Sequence, residues 1–383
     1  MRTRALVPFG AVIFVMVLAV WAPALVAQAP SGTKSFDATV TSTEAAINAA
    51  AEAAKAAAAS AANWTPPRTP WGDPDLSGYY LLATYTPLER PKELAAKPFY
   101  TEQEAVAAFR KAVESDAEVD PRTVHYDWKE YGMDAWQAGA RPNLRTSLIV
   151  DPPDGRIPPL TPEAEKRRAA RAAAARARNP QSGVQIFGNF YTRCIMGLAG
   201  GAPLVRGGQL GSDSAAGAAG VSAESQFVQS PGYVVINIQS NSDIRVIPLD
   251  GRPHLPQTVR TWLGDSRGHW EGNTLVVETT NFNDKSPGTN FQGSTDALRM
   301  VERFTLVNPK AIRYEFTVTD PQTWTRPWSA EVPLPRIDPP IYEFACHEQN
   351  YGLMNVVKGA QIREAEAAAK GQPRSPASGG AER

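Results

Sequence analysis

Residues Asn273 to His347 constrain the fold more than any other part of this chain. Val301-Glu302-Arg303-Phe304-Thr305-Leu306 leads into Asn308-Pro309-Lys310. Ile312-Arg313-Tyr314-Glu315-Phe316-Thr317-Val318-Thr319 then alternates apolar and polar residues without a break. Successive side chains of a strand leave opposite faces, so a period of two means a half-buried strand, and the Asn-Pro-Lys run between two such strands is a hairpin loop. Setting Leu306 opposite Ile312 pairs Phe304 with Tyr314 and Arg303 with Glu315, an arrangement worth about 0.2–1 kcal/mol for the charge pair. Tyr314, Phe316 and Val318 then share a core face. Arg303, Glu315 and Thr317 share the other, which is solvent-facing in a sandwich and the lumen in a ligand-holding barrel.

Further short strands are expected at Gln226–Gln229, Tyr233–Gln239, Ile244–Pro248, Val259–Leu263, Thr274–Thr280, Ser329–Leu334 and Ile341–Cys346. Turn signals separate them: Leu249-Asp250-Gly251, Gly264-Asp265-Ser266-Arg267-Gly268 and Glu271-Gly272-Asn273. Closely spaced strands of this kind indicate an antiparallel lipocalin-like barrel or a β-sandwich. The mainly β fold class carries a Pro-rich N-terminal arm and a few peripheral helices. Thr101 with Glu104 forms a capping box for a helix to about residue 115. Thr161 caps a second helix, with Pro162 at its first position, running to about residue 178. The basic stripe on that helix (Lys166, Arg167, Arg168, Arg171, Arg176, Arg178) reads as a solvated face. Residues 28–63 form an Ala-rich spacer or marginal helix, and 64–178 the Pro-rich arm with its helices. The β domain is expected over 179–358, with a Gly/Ala loop at 197–225 and a first strand at Gln185–Tyr191. A helical, then disordered tail occupies 359–383.

Arg2 and Arg4 precede an uncharged run to Ala29 that ends in small residues, the layout of a signal peptide over residues 1–27. Export makes the two cysteines, Cys194 and Cys346, a disulfide pair. Such a bridge closes a loop of about 150 residues, worth roughly 4–5 kcal/mol in the chain-entropy model. The expected location is periplasmic or secreted, with no integral membrane segment after cleavage. Lys plus Arg and Asp plus Glu both total 39, and loss of Arg2 and Arg4 shifts this balance by two charges. Near-neutrality gives no electrostatic reason to expect a nucleic acid.

Gly264-Asp265-Ser266-Arg267-Gly268 has the Gly-x-Ser-x-Gly spacing. The next residues make another turn rather than the helix a nucleophile elbow needs, so the glycines read as turn residues. His347 and Glu348 stand next to Cys346, where a bridge fixes the backbone for acid–base work. Asp243 and Arg245, two apart, share a strand face and can orient a polar molecule. Trp262, Trp270, Trp324 and Trp328 crowd strand ends, where they can floor a ligand site or plug the end of a barrel. No metal is expected, since His125, His254, His269 and His347 are scattered, and no phosphate or dinucleotide fingerprint implies a cofactor.

Trp71-Gly72-Asp73-Pro74-Asp75-Leu76, Thr146 to Gly155, Ile247 to His254, Trp262 to Gly268 and Tyr342 to Glu348 occur in one order. With them the chain resembles a family of exported bacterial proteins of unknown function over about residues 70 to 355. The resemblance implies export. The Gly/Ala stretch looks like an insertion relative to that pattern, and Ser242 stands where a histidine is expected before Asp243. Three functions fit this reading. The first is a binder of a small, partly apolar molecule with the tryptophans as floor and Asp243 and Arg245 as polar contacts. The second is a metal-independent lyase, isomerase or hydrolase using His347 with Asp243 or Glu348. The third is a structural envelope protein.

Overall fold

The computed structural model describes residues 43–61, 64–94, 96–117, 135–177, 194–195, 202–204, 224–239, 243–283, 293–338, 341, 343–348 and 351–370. All of them lie in one compact unit, Thr39–Arg383. The expected signal peptide, the expected strand at 185–191, most of the 197–225 loop and Ser242 lie outside the described residues.

Among the described residues, ten antiparallel strands make the core. They are β1 (Gly78–Leu81), β2 (Ile149–Asp151), β3 (Glu224–Ser230), β4 (Tyr233–Ile238) and β5 (Asp243–Pro248), followed by β6 (Asp265–Glu271), β7 (Thr274–Thr280), β8 (Arg299–Asn308), β9 (Ala311–Thr319) and β10 (Trp328–Ile337). The order across the sheet is β5-β4-β3-β1-β10-β9-β8-β7-β6, with β2 also pairing with β10. The hairpin register is the one the alternation gives: Leu306 faces Ile312, Phe304 faces Tyr314, and Arg303 faces Glu315. Tyr314, Phe316 and Val318 are buried, while Arg303 and Glu315 are partly exposed on the outer face. Arg303 reaches Glu271 at 2.7 Å and Glu315 meets Arg313, so the charges find partners other than each other.

No backbone ladder joins β5 to β6, and the sheet is therefore not closed into a lipocalin-like barrel. It curls until its two ends touch through side chains. A Cβ at Gly268 of β6 would stand 2.7 Å from Leu249 Cδ2 and 2.8 Å from Ile247 Cγ2, so only glycine admits this approach. That need explains why β6 is a strand although its sequence reads as a turn. The interior is packed rather than hollow. Rings run edge to face, stacked or tilted from Tyr80 through Phe227, Phe304, Tyr314 and Phe316 to Trp328 and Trp324. Ala202 to Leu204 are buried with them.

Two expected strands do not form among the described residues. Val259–Leu263 contributes only a bridge from Thr261 to Phe282, and Ile341–Cys346 has no ladder among its described residues. Within the proline-rich segment, in the Leu76–Tyr85 run expected to start a strand, Gly78–Leu81 forms β1, inserted between β3 and β10. The helices are α1 (Thr43–Ala61), α2 (Glu102–Ala117), α3 (Ala135–Ala138), α4 (Pro162–Ala177) and α5 (Tyr351–Ala369). Both predicted caps form. Glu104 N–H donates to Thr101 Oγ1 at 3.3 Å while Thr101 N–H donates to Glu104 Oε2 at 2.8 Å, and Ala164 N–H donates to Thr161 Oγ1 at 3.1 Å. The Ala-rich segment is a helix, with Ile47 and Ala50 seated in the core. Cys194 and Cys346 are bonded, with their Cα atoms 5.8 Å apart. The bridge does not join two ladders, since Cys346 lies on a bend.

Candidate functional site

Strand β5 is inverted. Its apolar Ile244 and Val246 are 54% and 53% exposed, whereas Asp243 and Arg245 point inward and are buried. The Arg245 guanidinium is 1% exposed and meets a fully buried Glu302 carboxylate of β8. Nη1 donates to Glu302 Oε1 at 3.0 Å and Nη2 to Oε2 at 2.5 Å. Nη2 also lies 3.3 Å from Ser266 Oγ and 3.2 Å from Thr279 Oγ1. Tyr314 donates its hydroxyl to Glu302 Oε1 at 2.7 Å and accepts Leu204 N–H at 3.0 Å. Burial works against the Arg245 charge, but the Glu302 carboxylate outweighs it and the net shift is upward. Burial, reinforced by Glu302, pushes the Tyr314 phenol well above its ordinary value. Arg245 is therefore held charged and the phenol neutral. This geometry ties β5 to β6, β7 and β8 across the seam that no backbone ladder closes.

Ser266 faces this interior, while the neighbouring Asp265 faces the other way and meets His254 Nδ1 at 2.8 Å. The alternation of β6 thus puts the serine and the histidine–aspartate pair on opposite faces of the strand, and the glycine–serine motif forms no triad. His347 and Glu348 are exposed on the bend beside the disulfide, while Asp243 and Arg245 are buried at the start of β5. Trp324 and Trp328 are buried in the aromatic core, Trp270 packs against that core, and Trp262 is partly exposed.

A cleft of about 650 Å³ opens elsewhere, and none of these nominated residues lines it. One wall is the small-residue face of α1: Ala53, Ala54, Ala56 and Ala57. The opposite wall is Pro309 of the β8–β9 turn with Pro333 and Pro335 of β10. The prolines mark why the sheet gapes here. β1 pairs with β10 at Arg336 and Ile337, and β2 pairs with it at Ser329 and Ala330. Glu331 N–H reaches Leu148 O on the β2 side. Amides alternate sides along a strand, so positions 333 and 335 turn their nitrogens to that same side, where no described strand pairs with them. Proline costs no ladder bond at such an edge. Around the opening stand Arg141, Lys310 and Arg336, with Asp338 as the one carboxylate.

Compared with protein-family models, with curated proteins and with solved structures, the chain matches none of them. The cleft and the buried pair must therefore be interpreted from their own chemistry. No group of three or more His, Cys, Asp or Glu side chains among the described residues is placed to hold a metal. No helix among them is long and apolar enough to cross a membrane. Sequence reasoning found Arg245 but missed its partner Glu302 and all the cationic residues of the cleft. The alternation of β8 already puts Glu302 on the face of Met300 and Phe304. Two prolines followed by arginine inside a strand-like run were the signal for the cleft.

Arg336 also reaches inward, donating from Nη2 to Tyr80 Oη at 2.7 Å, and Tyr80 donates to Leu76 O at 3.0 Å. Burial raises the Tyr80 pKa to about 12, with Arg336 pulling the other way. In the unfolded chain this phenol ionises near its ordinary value, about 10. Between those two values the unfolded state binds fewer protons, so stability falls as pH rises, by about 2–3 kcal/mol from Tyr80 alone. Urea midpoints are expected to hold between pH 8 and 9.5 and to drop by pH 11.5, with a shallower decline in Tyr80→Phe. A flat midpoint up to pH 11.5 would refute this.

Proposed function

We propose that this is an exported protein that binds a small, partly apolar molecule in the cleft between α1 and the open edge of β10. The carrying observation is the cleft itself, about 650 Å³ and walled mainly by alanine and proline. Ligand sites are concave, largely apolar and of about 300–1,000 Å³, with a few polar groups that fix orientation. The alanines of α1 suit the role, since larger side chains would fill the space. The N-terminal layout and the Cys194–Cys346 bridge support export to an oxidising compartment. The catalytic alternative has less support, because His347 and Glu348 are exposed while Asp243 and Arg245 are buried.

Native mass spectrometry of protein purified from the organism that encodes it tests the reading. A retained small molecule is expected, and it should be lost from Ala53→Phe and Ala54→Phe, which fill the cleft from the α1 side. Both variants should keep the wild-type urea midpoint. A ligand retained equally by the filled variants would place binding elsewhere and end this proposal.

A further inference from the structure

Among the described residues, more than half of the arginines are matched to acids. Arg145, Arg245, Arg260, Arg267, Arg303 and Arg326 each face a carboxylate within ion-pair distance. Arg68, Arg156 and Arg167 instead donate to neutral oxygens, and the three cations of the cleft are likewise without an acid. Among the described residues, no carboxylate lies within that distance of Arg141, Lys310 or Arg336. Arg141 donates instead to the carbonyls of Gly139 and Ala140, at 2.6 and 3.2 Å. Arg336 donates to the neutral Tyr80 hydroxyl and keeps a buried Nε–H without an acceptor. Lys310 sits exposed in the turn at the cleft's edge. Asp338 offsets one charge, which leaves the lining with an excess of two positive charges.

The prolines sharpen the point. Pro142, Pro309, Pro333 and Pro335 have no N–H, so the backbone at those positions offers no donors. Thr84 and Asn143 also line the cleft but are engaged with Thr86 and the Arg145 amide, so polar recognition falls mainly to the cationic side chains, which accept nothing and donate in several directions. An apolar trough flanked by unmatched donors is complementary to an acid with a hydrocarbon body. We infer that the ligand is an amphipathic monocarboxylate, its apolar chain along α1 and the prolines, and its carboxylate at Lys310, Arg141 and Arg336. Guanidinium and ammonium groups bind carboxylates through charge-assisted hydrogen bonds, roughly twice as strong as neutral ones. Desolvation lowers the Arg141 pKa, and a bound carboxylate opposes that shift.

This inference rests on the cleft being the ligand site, and the experiment separates the two claims. Full-chain protein, purified free of retained ligand, is titrated calorimetrically with octanoate, octan-1-ol and octyltrimethylammonium, which share a chain and differ in charge. Octanoate is expected to bind roughly tenfold or more tightly than the alcohol, as charged hydrogen bonds exceed neutral ones. Its affinity should fall with added sodium chloride while that of the alcohol does not. Lys310→Gln and Arg141→Gln should erase most of the preference, weakening octanoate far more than the alcohol. Equal binding of all three probes would overturn the carboxylate inference and leave the apolar site standing. Preference for the ammonium probe would overturn it in favour of Asp338. Binding of none would remove both claims.

Discussion

Glu302→Ala lowers the free energy of unfolding by about 3–5 kcal/mol, the cost of leaving a buried charge without its partner. The reason lies in what remains. Arg245 would stay enclosed, with Ser266 and Thr279 as its neutral neighbours and no carboxylate to hold its charge. Tyr314 would lose the acceptor of its hydroxyl. Removing both charges is a different experiment. Arg245→Met with Glu302→Leu replaces the pair by apolar groups of similar length in an aromatic core, and such exchanges are often neutral or stabilising. The double variant should therefore recover most of the loss, with a coupling energy larger than either residual effect. Chemical denaturation of the wild type, Arg245→Met, Glu302→Leu and the double variant measures it. A single Glu302→Ala cost below about 1 kcal/mol would show that solvent reaches the guanidinium, since exposed pairs are worth that little. The seam adds a second readout. Without the clasp, side-chain packing at Gly268 remains between β5 and β6, with no backbone ladder. Amide hydrogens of β4, β5 and β6 should exchange faster in the single variant than those of β8 and β9.

The parts of the fold legible in the sequence are those where local rules and burial agree. The β8–β9 register followed from alternation because one of its faces is core and a one-residue slip would turn every ring outward. The Thr101 and Thr161 caps were legible because a side-chain oxygen at that position has one purpose, to accept an unsatisfied amide of the first turn. Strand β6 was illegible for the opposite reason. Its Gly268 serves a contact with Ile247 and Leu249, some twenty residues distant in sequence, and local rules assign glycine to a turn. Val259–Leu263 and Ile341–Cys346 have strand-forming residues but no ladder to join. Strand propensity reflects fit to a pleated, half-buried surface, and neither segment is given one. At the candidate site the gap is wider still. The cleft exists where β1 and β2 stop short of each other along β10, and no periodicity encodes an absence between two strands. Glu302 was recoverable in principle, because the same alternation that placed Phe304 inside places it inside as well.

Replacing both cysteines, Cys194→Ser with Cys346→Ser, should lower stability by up to about 5 kcal/mol, the chain-entropy value for a loop of this length. The bonded residues are 152 positions apart, so the crosslink removes a large share of the unfolded chain's freedom. The C-terminal helix makes the bridge matter locally as well. Of α5, Ala360 is buried, while Tyr351, Met354 and Ile362 are 61%, 68% and 51% exposed. Apolar burial alone holds such a helix weakly. Two measurements separate the global and local contributions. A lower urea midpoint accompanied by a larger denaturant slope is the entropic signature, because an uncrosslinked unfolded state exposes more surface. Rapid proteolysis within 341–370 at an unchanged midpoint would mean instead that the sulfur bond only tethers α5, and that the ring it closes was already restrained in the unfolded state. The entropic outcome is favoured because β3 to β10 lie inside the closed loop, so the crosslink restricts most of the sheet's strands in the unfolded chain.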